Sequence, residues 1–165
     1  MAWSKNGTPE TLSGVADVVQ ITDLTAYKFN QFMCHNLTDT GDLITMACTF
    51  NNNTNSVYAH RKSENGGTDN TSTSIAYDPW WFNATNTDYF SISYWVSISG
   101  EEKLGITFSV ERGTATGAGT APERVETVGK FVPSPDADIT RIDITQLVAG
   151  GDYDTGSNLS ALGTN

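Results

Sequence analysis

The chain has 165 residues, with 9 Lys and Arg against 19 Asp and Glu and a formal net charge of −10. That balance excludes nucleic acid or an anionic membrane as the main partner, since both require basic patches. Hydrophobic content of 38% and charged content of 17% leave much of the chain to Asn, Thr, Ser and Gly, while 10% aromatics exclude a disordered chain.

One domain over residues 1–165 is expected, long enough to bury a core without covalent staples. Met1-Ala2-Trp3-Ser4-Lys5 leads directly into turn residues. With no apolar export segment there, synthesis in a cytoplasm is expected. No apolar run approaches the length of a membrane span.

Period-two alternation and turn residues predict strands at Val15–Ile21 and Ala26–Leu37. Ile44, Met46, Cys48 and Phe50 alternate with Thr45, Ala47 and Thr49 to give another. Cys34 and Cys48 stand equidistant from a predicted hairpin centred near Gly41, so they could face each other across two strands. Reduced, buried thiols are the preferred reading for a chain made in a cytoplasm.

Ser56–Ser63 reads as a strand in which Val57, Ala59, Arg61 and Ser63 share one face and Tyr58, His60 and Lys62 the other. Arg61 and Lys62 therefore point to opposite sides and do not form one basic cluster. The cation on the buried side needs an acidic partner. Asn65-Gly66 supplies the positive φ angles of a tight turn before a strand at Ser72–Tyr77.

Between Tyr77 and Trp95 lie eight of the seventeen aromatic residues. They fit a core with a loop plug at Pro79-Trp80-Trp81, a subunit interface, or a stacking platform for sugars. Phe90, Ile92, Tyr94, Val96 and Ile98 alternate with Ser91, Ser93, Trp95 and Ser97. Leu104, Ile106, Phe108 and Val110 alternate with Gly105, Thr107 and Ser109.

Folding these two runs about Gly100 sets Val96 opposite Leu104, Tyr94 opposite Ile106 and Ile92 opposite Phe108. The apolar residues then fall on one face, which is expected to be the buried one, with Trp95 pointing away from it. Residues 112–122 read as a glycine-rich loop. Further strands are predicted at Arg124–Val132, Ile139–Ile144 and Asn158–Leu162. No segment carries a helical stripe. The expected fold is all-β: an antiparallel, jelly-roll-like β-sandwich of about eight to ten strands.

Candidate chemistry is sparse. His35 and His60 are the only histidines, neither at a metal-ligand spacing, and both are expected in surface or strand-face roles. Asp154-Thr155-Gly156-Ser157 matches an aspartic-protease tetrapeptide. It follows a glycine-rich turn rather than an apolar strand, and only eight residues follow it, so it is read as a turn. Asp152, Asp154 and Asn158 place oxygen atoms at alternate positions around a glycine, as Ca²⁺ favours, but without the distal glutamate of a full calcium loop. The expectation is no metal and no cofactor, with calcium at these three residues as the weaker alternative.

Tyr58, Ala59, Arg61, Ser63, Asn65, Gly66 and Gly67 form a spaced pattern that resembles one in small β-rich proteins of tailed phages and uncultured, often marine, viruses. Residues 98–104, Ala121 to Arg124 with Glu126 to Lys130, Gly151 to Asp154 with Ser157 to Leu159, and the initial Met-Ala-Trp-Ser are similar to that group too.

The resemblance implies a non-enzymatic protein on the virion. It would be a capsid decoration (cement) protein on the capsid surface, or a head or tail fibre domain. The implied partners are the major capsid protein and further copies of the chain, as a homotrimer. Expected anchors are Trp3, Trp80, Trp81 and Phe82, with Trp95 as a further exposed aromatic. Arg61, Lys62 and Arg124 are expected to pair with acidic neighbours. The alternative is a carbohydrate- or receptor-binding domain for host attachment, with a glycan stacked on Trp95 or Trp81.

Overall fold

A computed structural model describes residues 2–38, 43–85, 88–112 and 117–165, with the side chains of residues 43 and 81–85 outside the description. The described residues contain thirteen strands and no helix. In chain order these are β1 (Ser4–Lys5), β2 (Glu10–Thr11), β3 (Val18–Ile21), β4 (Phe29–Asn36), β5 (Leu43–Phe50), β6 (Tyr58–Glu64) and β7 (Asn70–Ile75). There follow β8 (Asp78–Thr85), β9 (Tyr89–Val96), β10 (Lys103–Glu111), β11 (Glu123–Phe131), β12 (Ile142–Gln146) and β13 (Asn158–Thr164).

They form two antiparallel sheets. One has nine strands in the order β1-β13-β4-β9-β10-β11-β6-β7, with β2 also on β13; the other runs β3-β12-β5-β8. The chain is thus an all-β protein of two packed sheets, and every strand predicted above has a counterpart within a few residues of its expected bounds.

Alternation along each strand decides what lies between the sheets. From the four-stranded sheet come Val19, Ile21, Ile44, Met46, Cys48, Phe50, Trp80, Ile142 and Ile144. From the nine-stranded sheet come Phe32, Cys34, Tyr58, Tyr89, Trp95, Val125, Phe131, Leu159 and Ala161; all are buried in one cluster. Phe50 is its hub. Its ring lies 4.7 Å from Trp95 edge-on, 5.6 Å from Phe131 and 5.9 Å from Phe32, so it touches three strands of the opposite sheet. Tyr58 stacks on Phe131 at 4.9 Å, and its hydroxyl accepts the Phe50 amide at 2.8 Å. One aromatic cluster therefore fixes the spacing of the two layers.

The β6–β7 turn forms as expected, with Asn65 at φ 50° and Gly66 at φ 74°. The Asn65 side chain also accepts the Arg124 amide at 2.9 Å, joining this turn to the start of β11. At the other end of the sheet, the Lys103 ammonium is fully buried. It donates to the carbonyls of Ile98 (2.6 Å) and Glu101 (2.7 Å) and to Asp136 (2.7 Å). The β9–β10 turn and the connection before β12 are thereby tied together.

Three expectations need correction. β4 and β5 are not a hairpin: β4 pairs with β9 and β13, whereas β5 pairs with β8 and β12. Cys34 and Cys48 therefore lie in different layers. Both are buried and unbonded, and burial pushes both thiols well above their ordinary pKa. Next, Pro79-Trp80-Trp81 is no loop plug. It belongs to β8, an edge strand where the missing Pro79 N–H is tolerated.

The third correction concerns the β9–β10 ribbon. Its register is as predicted, Leu104 with Val96, Ile106 with Tyr94 and Phe108 with Ile92, but the buried side is the opposite one. Ser91, Ser93, Trp95, Thr107 and Ser109 point inward, while Phe90, Tyr94, Leu104, Ile106 and Phe108 point outward. The facing sheet supplies large side chains, so the ribbon supplies small ones and the layers interdigitate. The buried hydroxyls satisfy one another: Ser91 with Ser109 at 2.7 Å, Ser93 with Thr107 at 2.6 Å, and the Trp95 indole N–H donating to Ser93 at 2.7 Å.

Trp95 lies flat against Gly105, its cross-strand partner, where any Cβ would fall inside the indole. Gly105→Ala should lower stability by roughly 1–3 kcal/mol in chemical denaturation, as overpacking does. Gly14→Ala, at a site with open space and an ordinary φ, should leave it within about 0.5 kcal/mol.

Candidate interaction surface

The register of the nine-stranded sheet places its outward side chains in rows across the strands. Phe29, Val96, Leu104, Lys130 and Ala59 make one row; Gln31, Tyr94, Ile106, Val128 and Arg61 the next; Met33, Ile92, Phe108, Glu126 and Ser63 a third; His35, Phe90, Val110 and Arg124 a fourth. The middle of each row, on β9 and β10, is apolar, and towards β11 and β6 the rows turn polar or charged except at Val128 and Ala59. Phe90, Tyr94, Leu104, Ile106, Phe108 and Val128 are 42% (Tyr94) to 56% (Leu104) exposed. Such a contiguous apolar face on a sheet exterior makes a candidate interaction surface.

Two shallow grooves cross it. One, of about 300 Å³, is lined by Trp3, Phe29, Tyr94, Val96, Leu104 and Ile106; the other, of about 350 Å³, by Phe90, Ile92, Phe108, Val110 and Pro122. Charges at the rim are paired: Arg61 with Asp69 at 3.1 Å, Arg124 with Glu126 at 3.3 Å, and Lys130 with Glu102 at 3.1 Å. The opposite rim, on β4 and β13, carries Gln31, His35, Asn158 and Ser160, which are polar but not acidic.

The residues singled out from the sequence divide accordingly. Trp3 is exposed and lines the first groove. Arg61 and Arg124 stand on the rim with acidic partners. Lys62 points inward, is buried, and pairs with Glu64, so all three cations have the acidic neighbours expected of them. Trp80 and Trp95 are corrected: both are core residues, 0% and 2% exposed, and neither can anchor a partner. Side chains of Trp81 and Phe82 lie outside the described residues.

Asp152, Asp154 and Asn158 surround the turn before β13. There the Asp154 carboxylate accepts the Thr155 amide at 2.6 Å and Asn158 donates to the Gly156 carbonyl at 3.2 Å. These are turn-forming bonds. Among the described residues, no three His, Cys, Asp or Glu side chains come together as a metal cluster.

Sequence reasoning missed the outer face as a site because it assigned those residues to the core. It also missed Asp78, which opens β8. Its carboxyl is buried over Gly129 of β11, where a Cβ would lie 2.6 Å from Oδ1. Neither oxygen makes a well-aligned hydrogen bond. Burial is the dominant influence and pushes the group up to about 8, with the nearby Trp80 indole opposing it only partly. His60, which pairs in the ladder with Gly129, is half-buried; burial first, and Lys62 second, lower its pKa.

On the far side of the molecule, Arg141 forms a bidentate pair with Asp143 (2.6–3.0 Å) and reaches Gln20 at 2.7 Å. This pair sits in a trough on the four-stranded sheet, lined also by Ala47, Tyr77 and Leu147. The Arg141 Nε and Nη2 donors are taken up by these bonds.

Comparison with protein-family models, curated proteins and solved structures finds no match. The chain is an all-β protein of two antiparallel sheets with a contiguous apolar face on the larger one.

Asp78 gives a pH prediction. Its folded pKa lies above the unfolded value, so the folded state holds the extra proton between about pH 4 and 8, and stability falls as pH rises through that window. Asp78→Asn should remove this component, making the variant more stable than the parent by roughly 1–3 kcal/mol at pH 8 and nearly equal to it at pH 4. Denaturation midpoints at the two pH values check the difference.

Proposed function

We propose that the chain is a non-enzymatic virion structural protein, a capsid decoration or cement protein that binds and stabilises the capsid lattice as an oligomer. The observation that carries this reading is the apolar outer face of the nine-stranded sheet, an assembly surface rather than a cleft. The resemblance of its Tyr58–Gly67 segment to proteins of tailed phages and marine viruses supplies the setting. Jelly-roll decoration proteins of such particles are the architectural analogy. The acidic charge away from the rim suits a protein carried in many copies, because it keeps free chains soluble and apart.

A glycan-binding fibre domain is the second reading. It draws on Trp3 and Tyr94, exposed aromatics in one groove, now that Trp95 is buried. Glycan-array binding lost in Trp3→Ala would favour it.

The test is quantitative mass spectrometry of particles purified from the virus that encodes the chain. Decoration predicts a copy number on the scale of the major capsid protein. A few copies per particle would move the chain to the tail, and absence from particles would overturn the virion reading altogether.

A further inference from the structure

We propose that the partner covering the outer face of the nine-stranded sheet is a second copy of this chain, packed sheet to sheet. The inference rests on the reading of that face as an assembly surface and names its occupant. Area and charge both point to self-pairing.

Half-exposed side chains of this size leave roughly 80–100 Å² each in water. The six most exposed, together with Trp3 and the partly covered Phe29, Ile92, Val96 and Val110, therefore present about 600–800 Å², near the ~800 Å² per partner of a standard stable interface. The largest patch on an ordinary monomer is about 300–600 Å².

Charge narrows the choice of partner. Each copy carries a net charge of −10, so two copies repel over most of their surfaces. On the outer face that repulsion is weakest. Three acids at the rim are neutralised by Arg61, Arg124 and Lys130 within the same chain, and the β4–β13 rim carries no acid, its charges being the cations Lys28, over the Phe29 ring, and Lys5, opposite Leu162. An uncharged apolar centre inside a rim of low net charge meets its own image at less like-charge cost than the acidic surfaces of the molecule could.

Shape agrees. A nearly continuous sheet face stacks on another at about 10 Å with strands slightly rotated, and such a face-to-face contact is isologous, closing with two chains. The pairing thus departs from the homotrimer implied by the resemblance.

The experiment is mass in solution, by light scattering and sedimentation velocity over a dilution series of the full chain. Twice the chain mass is expected for the parent. Ile106→Arg, at the centre of the face, should give single-chain mass with association weakened at least ten-fold and an unchanged circular dichroism spectrum. Leu147→Arg, an exposed position lining the trough on the other sheet, should leave the pair intact.

If Ile106→Arg fails to fold, Leu104→Lys, at the most exposed position of the face, gives the same readout. A single-chain parent at every concentration, a pair that survives the face variants, or a three-chain mass would overturn the proposal. None of these measurements needs a particle, so a chain that pairs but is missing from virions would sink the virion reading alone.

Discussion

The contact on which the molecule depends is the Trp95 indole held between Gly105 beneath it and the edge of Phe50 above it. A side chain of that size needs a hole on its own sheet and a partner on the other, and it finds both only if the Ser/Thr side of the β9–β10 ribbon turns inward. Once that side is committed, the hydroxyls beneath pair with each other, and Phe50 reaches Phe131 and Phe32. The apolar side of the same ribbon then has nowhere to go but out. Core packing and the exposed face are two results of one placement.

This explains what the sequence could and could not disclose. Alternation in 90–98 and 104–110 yielded the strands, the turn at Gly100 and the cross-strand partners, because a period of two fixes which residues share a face. It does not say which face is inside. That depends on the volumes arriving from the facing sheet, and Ile44, Met46, Phe50 and Trp80 come from strands whose sheet membership leaves no local trace. For the same reason Cys34 and Cys48, symmetric about Gly41 in sequence, lie in different layers: a connection that crosses between sheets and one that makes a hairpin read alike. Pro79 concealed β8, since a proline inside a run argues against a strand unless the strand is an edge.

The candidate surface was legible only in parts. Trp3, an N-terminal aromatic, and the scarce cations Arg61 and Arg124 all lie on or beside the face. Trp80 and Trp95 offer only their aromatic rings as a signal, and rings are as useful in a core as at an interface. The residues that make up the face, Tyr94, Leu104, Ile106, Phe108 and Val128, looked too apolar to be outside. Asp78 had no sequence signal, because a carboxylate opening a strand ordinarily faces water.

The buried Lys103 bears on how the face behaves. Its ammonium grips two carbonyls of the β9–β10 turn and the Asp136 carboxylate, so the end of the ribbon is a fixed corner and not a flapping hairpin. At the other side of β10, the nine-residue ladder with β11 holds the ribbon flat against its neighbour. An apolar plane stiffened in this way forfeits little conformational entropy on being covered. Much of the ordering that an encounter would demand is already complete in the free chain, and even a modest contact area can then give a long-lived complex.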